Sequence, residues 1–242
     1  MTFSKETDYA SFSVNNLAIT KKKINGLELV VKKTNLHSSL SSRTEEVFDL
    51  VNSYIDNLKN CEIPVPKVIE KSYSGRQLVY VSKFEGENLF RIFKPENISD
   101  SLKSKTEIIE SILQILKKAI DSDIHLDPHP KNFVLKKSKV HYVDFTPPYS
   151  NEYSSLRLSI ANEKEKNILK DFFKCFEPKN IIYHFLGDIL KIDTGLDLYA
   201  EELFDIIKPY DDSNLSFEEF LIKSKSIIKI EKKREEKNIF LL

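Results

Sequence analysis

Two kinds of apolar pattern divide the chain. From residue 11 to about 84 it reads as strands with one helix inserted. Leu17 to Lys23 and Leu27 to Lys33 are β-rich runs joined through Asn25-Gly26. That pair tolerates positive φ at both turn positions and predicts a tight hairpin. Val47, Leu50, Val51, Tyr54, Ile55 and Leu58 then recur with helical spacing, which predicts a helix with one buried face. Ser41, Ser42 or Thr44 is placed to cap it, and Glu45 and Glu46 suit its positive N-terminal end. Ile63-Pro64-Val65-Pro66 ends the helix, because a residue before proline is pushed out of the α region. Val68 to Tyr73 and Gln77 to Phe84 predict two more strands, turning at Ser74-Gly75. The expectation for this half is an antiparallel sheet of four or five strands carrying one helix.

Beyond Gly86 the pattern becomes mainly helical. Ser104 to Ile120 has a broad apolar face of Ile108, Ile109, Ile112, Leu113, Ile115, Leu116 and Ile120. Further helices are expected at 163–176, 179–191, 197–208 and 216–237, the last ending in a mixed-charge stretch, Glu231 to Lys237, read as a solvated face. Residues 124–150 interrupt this pattern with two short apolar runs, Phe133 to Leu135 and Val140 to Val143, around a Lys-rich turn. There are no repeats and no long linker. The fold class expected is therefore α+β, a strand-rich part of residues 1–84 followed by a helical part of residues 89–242.

Composition narrows the function classes. The 242 residues hold 37 Lys plus Arg and 37 Asp plus Glu, a formal net charge of zero, which gives no support to bulk nucleic-acid binding. No apolar run approaches the roughly 18 residues of a membrane span. Met1 to Ala10 carries Lys5, Glu6 and Asp8 and lacks the apolar core of a signal peptide. Cys61 and Cys175 lie far apart and read as free thiols, so a cytoplasmic location is expected. The five glycines, at 26, 75, 86, 187 and 195, are too dispersed to write a phosphate loop or a dinucleotide fingerprint, which disfavours P-loop and Rossmann readings.

One segment concentrates the chemistry: Asp123-Ile124-His125-Leu126-Asp127-Pro128-His129-Pro130-Lys131-Asn132-Phe133-Val134-Leu135, followed nine residues later by Asp144-Phe145. A carboxylate, an amide five residues on and a second carboxylate twelve beyond that suit phosphoryl transfer. Asp127 is placed to orient or deprotonate a hydroxyl, and Asn132 and Asp144 offer the hard oxygen ligands that Mg²⁺ prefers.

His125 to Asn132 resembles the His-Gly-Asp-x-His-x-x-Asn catalytic loop of the aminoglycoside phosphotransferase and choline kinase-like branch of the protein-kinase-like fold. Asp144-Phe145 is similar to that fold's metal-binding Asp-Phe-Gly. Leu29-Val30-Val31-Lys32 resembles its third strand, whose lysine contacts the nucleotide phosphates, with Lys33 as the neighbouring alternative. Glu46, or Glu45, sits where the helix glutamate pairs that lysine. Glu85-Gly86-Glu87-Asn88-Leu89 looks like the family's Glu-Gly-x-x-Leu, which follows the hinge. The resemblance covers residues 11 to about 146. It implies a two-lobed fold with the hinge at 82–88, adenine bonded to the backbone at Ser82 and Phe84, and ATP and Mg²⁺ as cofactors. A small-molecule hydroxyl would be the acceptor, with no nucleic acid and no membrane as partner; oligomeric state is unread. It also implies that His125 braces the loop against the Asp144-Phe145 backbone. The chain departs from the family at the nucleotide-covering loop, near Ser11 to Asn16, which holds no glycine, and at Asp-Phe, which Thr146-Pro147-Pro148 follows. Alternatives are a compact atypical protein kinase of the RIO kind and a nucleotide-binding pseudokinase scaffold. A third is zinc-dependent hydrolysis through His125, Asp127 and His129, disfavoured because His37, His141 and His184 are scattered in the sequence.

Overall fold

The computed structural model of the chain describes residues 17–91, 102–192, 200–237 and 239. Strands β1 (Leu17–Ile24) and β2 (Leu27–Asn35) form the expected hairpin, with Asn25 at φ 50° and Gly26 at φ 79°. Both turn residues are left-handed, as a two-residue turn matched to strand twist requires. Helix α1 (Thr44–Asn60) follows, then β3 (Val68–Ser74) and β4 (Gln77–Lys83). The four strands make an antiparallel sheet in the order β1-β2-β4-β3. Leu78, Tyr80 and Ser82 alternate toward the buried face of β4, and Lys32 and Thr34 do the same on β2, while Lys33 is exposed.

Helix α1 packs on β3 and β4 through the predicted stripe, of which Val47, Val51, Tyr54, Ile55 and Leu58 are buried. It ends before the prolines. Glu62 adopts φ 55°, its N–H donates to Lys59, and the Ile63 N–H reaches back to the Leu58 carbonyl at 2.9 Å. This double bond to the last turn, with Leu58 and Ile63 both buried, closes the helix without a glycine.

The remaining elements are β5 (Glu87–Asn88), α2 (Leu102–Asp121), β6 (Phe133–Lys136), β7 (Lys139–Tyr142), α3 (Asn151–Ile160), α4 (Glu163–Lys174), α5 (Pro178–Ile192), α6 (Ala200–Ile207) and α7 (Phe217–Glu236). Strands β5, β6 and β7 form a small antiparallel sheet. It needs Gly86, at φ 123°, because a Cβ there would overlap the Leu135 carbonyl. Helices α4 and α7 both start with a reciprocal capping box, Asn162 with Glu165 and Ser216 with Glu219. Helix α3 is absent from the sequence expectation. It starts on Ser150, and the segment mixes serines with few apolar residues, so its three buried side chains, Tyr153, Leu156 and Arg157, leave little periodic signal. The expected solvated face of 231–237 is found at Lys232, Lys233, Glu235, Glu236 and Lys237, while Arg234 is buried and Glu231 turns toward His184.

The architecture is thus α+β, a four-stranded antiparallel sheet beside a mostly helical part. Among the described residues no helix is long and apolar enough to cross a membrane. Cys61 and Cys175 are unpaired.

Candidate functional site

The chemistry-rich segment begins where α2 stops. Asp123 takes φ 53°, and the Ile124 N–H bonds the Ala119 carbonyl at 2.8 Å, so the chain turns sharply off the helix. Buried Ile124 and Leu126 anchor the loop in the core. Two tyrosines fix its backbone. Tyr54 of α1 donates to the His125 carbonyl at 2.7 Å, and the Asp127 N–H donates to Tyr142 Oη at 3.2 Å. The loop is therefore tied to a helix of the sheet part and to β7 at once.

Asp127 is 8% exposed, and both carboxylate oxygens have donors. Oδ1 accepts from the His129 N–H at 3.0 Å and Oδ2 from Tyr149 Oη at 3.3 Å. Burial pushes its pKa up, but the charges of Lys131 and His184 outweigh this and hold it below the usual range. His129 Nδ1 accepts from the Lys131 N–H at 3.0 Å and starts a short 3-10 turn, Pro130–Asn132. Burial drives the His129 pKa down to about 3, so the ring is neutral and can accept. It stacks on Phe90 at 5.8 Å. Asn132 Nδ2 donates to the Asp127 carbonyl at 3.2 Å, and its own carbonyl accepts from the Val143 N–H at 2.8 Å. That last bond sets Asn132 one residue from Asp144 across the β6–β7 hairpin.

Asp144 meets the sheet. Lys32 Nζ donates to its Oδ1 at 2.7 Å, joining residues 112 apart, and both side chains are largely covered. Burial raises the Asp144 pKa, Lys32 draws it back, and the Asp127 charge adds to the rise. Phe145 packs edge-on against Tyr80 at 5.4 Å and lies under the Lys32 ammonium at 5.3 Å. Lys32, Asp127, Asn132 and Asp144 thus come together, and Lys33, pointing to solvent, drops out as the alternative lysine.

Three expected roles are placed differently. Glu46 does not reach Lys32. It is exposed in the first turn of α1 and accepts two hydrogen bonds from Arg43, at 2.6 and 2.8 Å. Glu45 is exposed as well. The turn of α1 that faces the core presents Thr44, Val47 and Val51, so no carboxylate comes with it. Second, Ser82 lies within the sheet, paired in register with Val30 on one side and Val68 on the other, and the Phe84 N–H donates to the Glu28 carbonyl at 3.0 Å. The Phe84 carbonyl accepts from Lys136 Nζ at 2.8 Å. An adenine at Phe84 has to displace these partners. Third, among the described residues no hydrogen bond joins the His125 ring to Asp144-Phe145; the brace is the His125 carbonyl on Tyr54. The nucleotide-covering loop expected near Ser11 to Asn16 lies outside the described residues.

Behind Asp127 lies a cluster that sequence reasoning missed. His184 and Asp188, one turn apart on α5, are fully buried. His184 Nε2 stands 3.1 Å from Glu231 Oε1 of α7 and 3.4 Å from Asp188 Oδ2. Burial alone would lower the His184 pKa, but Glu231 and Asp188 outweigh it and push it up to about 10. Lys131 is drawn to the same place. Burial lowers its pKa, and Asp127, Asp144, Asp188 and Glu231 together raise it by more. The available signal was a His and an Asp at i and i+4 inside Ile181 to Leu190, an otherwise apolar helix whose every hydrophobic side chain is buried.

The residues that converge here offer two carboxylates and an amide for a hard cation, with one ammonium for an anion. A scan against protein-family models finds no match to this chain, and a search of curated proteins finds no relative.

Proposed function

We propose that this chain is an ATP- and Mg²⁺-dependent phosphotransferase of two-lobed, kinase-like fold that phosphorylates a hydroxyl of a small molecule. The observation that carries the reading is the Lys32–Asp144 ion pair at 2.7 Å, joining the sheet to the loop that holds Asp127 and Asn132. MgATP, when bound, supplies an electrophilic γ-phosphoryl group with part of its charge neutralised. Asn132 and Asp144 would hold the metal, since both offer hard oxygens. Lys32, released from Asp144, would hold the phosphates. Asp127, kept ionised by Lys131 and His184, would orient the acceptor hydroxyl and take its proton late, which is enough for a transition state that asks mainly for positioning. Two unpaired cysteines suit a reducing cytoplasm.

One alternative has its own support. Glu46 turned away from Lys32 and the Phe84 N–H bonded to Glu28 favour a pseudokinase scaffold. The experiment that separates them combines a melting curve with a turnover assay. Ligand at a hundred times its dissociation constant stabilises the fold by about 2.7 kcal/mol, a rise of roughly 5–10 °C for a chain of this size. That shift with MgATP, reduced by EDTA, and ADP release with a sugar, amino alcohol or aminoglycoside supports the kinase. A shift without turnover supports a nucleotide-binding scaffold, and no shift with any nucleotide overturns the kinase and leaves a scaffold that binds none.

A further inference from the structure

His184 is held from two directions. Its Nδ1 lies 3.3 Å from the Cys175 carbonyl oxygen, which only accepts, so Nδ1 carries a hydrogen. Its Nε2 therefore points its remaining valence at Glu231 and Asp188, at 3.1 and 3.4 Å. Asp188 is 0% exposed, and among the described residues neither of its carboxylate oxygens has a hydrogen-bond partner. Burial first and the Glu231 charge second hold the Asp188 carboxyl well above the usual range, so without metal it keeps a proton, and a bound cation is what lets it ionise there. One ligand atom each from Asp127, His184 and Asp188 lies within 4.8 Å of the others. Asp127, Asp188 and Glu231 share this space with the Lys131 ammonium and one imidazole. The Arg234 guanidinium is turned elsewhere: it donates to the Ile239 carbonyl and covers Phe172. Lys32 is committed to Asp144.

We propose that Asp127, His184 and Asp188, with Glu231 beside them, form a site for a transition-metal dication of the zinc class. One imidazole nitrogen with carboxylate oxygens suits zinc, whereas magnesium prefers oxygen and keeps its water. A ring whose far nitrogen donates to a backbone carbonyl is the usual support of a metal-bound histidine. The dication takes the place of the Nε2 proton and of the proton on Asp188, both of which leave to solvent, and gives the Asp188 oxygens a partner. This site shares Asp127 with the phosphotransfer reading but not the Asn132 and Asp144 oxygens, and the observations behind it stand without that reading.

The test uses the full chain, stripped with EDTA, loaded with zinc chloride, desalted and analysed by elemental mass spectrometry. One zinc per chain is expected, retained against excess magnesium chloride. Cobalt chloride should give a visible ligand-field band that zinc abolishes. Asp188→Asn and His184→Gln should each lower zinc affinity by about tenfold or more, while Asn132→Ala and Asp144→Asn keep it, so failure here and failure of the kinase reading are told apart. Circular dichroism establishes that each variant is folded. Zinc affinity unchanged in folded Asp188→Asn and His184→Gln overturns the proposal. Absence of zinc and of the cobalt band in the unaltered protein overturns it as well, whatever the variants do.

Discussion

The loop around Asp127 and the pocket behind it are both buried and polar, yet they are built on opposite terms. In the loop, both Asp127 oxygens have donors, and His129 is a neutral ring accepting one N–H. In the pocket, His184 stands between two carboxylates, and among the described residues neither Asp188 oxygen has a hydrogen bond, the His184 Nε2 lying 3.4 Å from one of them. A satisfied network holds a fixed shape and can position a reacting group. An under-satisfied one has capacity left for something the chain itself does not supply.

The largest effect expected from breaking this contrast is on chemistry. Asp127→Ala should lower turnover by on the order of 10²–10⁴-fold while leaving MgATP affinity nearly unchanged, because the residue acts on the acceptor. Asp144→Ala should weaken nucleotide affinity as well, because it removes a metal oxygen. Titration calorimetry beside a turnover assay reads both. The reverse pattern, with Asp127→Ala losing affinity and Asp144→Ala keeping it, would assign the two carboxylates the other way round.

Lys32→Met comes next. It leaves Asp144 covered and without its cation, and breaking a buried pair costs about 3–5 kcal/mol. Asp144 is already inclined to hold a proton, so the lower end, about 3 kcal/mol, is expected, a fall of roughly 6–10 °C in melting temperature. A melting temperature within about 2 °C of the parent would mean that the pair is not structural.

The two histidines then predict opposite responses to pH in metal-free protein. The folded-state pKa of His129, about 3, lies below its unfolded value of 6.5. Its contribution is therefore complete above 6.5 and is lost as pH falls toward 3, about 2 kcal/mol between pH 7 and 5. His184, raised to about 10, contributes fully below 6.5 and loses about 2 kcal/mol between pH 7 and 9. Asp144 and Asp188, both raised, regain stability on acidification and oppose the acid limb, so variants isolate each ring. Urea unfolding of His129→Asn should flatten the acid limb and His184→Gln the alkaline one. The same limb flattening in both variants would show that the two rings are not distinct.

What the sequence makes legible follows from range. Asn25-Gly26, the α1 stripe and the short strands around the Lys-rich turn are local patterns, and each reappears within a few residues of its expected place. Lys32 was legible because strand alternation sets it on Val30's face, apart from Lys33, and the family register picks that face. The Glu231 contact to His184, 47 residues away, was not, since helical period says which residues share a face and not which face turns inward. The Phe84 N–H was hidden for the same reason: its partner, Glu28, depends on how β2 and β4 align.

The smallest effect separates two ion pairs that the sequence makes look alike. Glu46 sits on Arg43 at 2.6 and 2.8 Å, geometry as good as that of Lys32 on Asp144. The difference is water. Arg43 and Glu46 are 38% and 46% exposed, against 9% and 14% for the buried pair. In high dielectric the attraction is weak and screened by salt, so such pairs contribute about 0.2–1 kcal/mol. Glu46→Ala also loses a favourable charge at the N-terminus of α1, about 0.3 kcal/mol or slightly more. It should therefore lower stability by no more than about 1 kcal/mol, shrink further at high salt, and leave nucleotide affinity untouched. In a kinase that needs its helix glutamate on the lysine, the same substitution would cripple turnover. A large loss of activity in Glu46→Ala, with stability intact, would mean that α1 rotates during the catalytic cycle to bring Glu46 to Lys32.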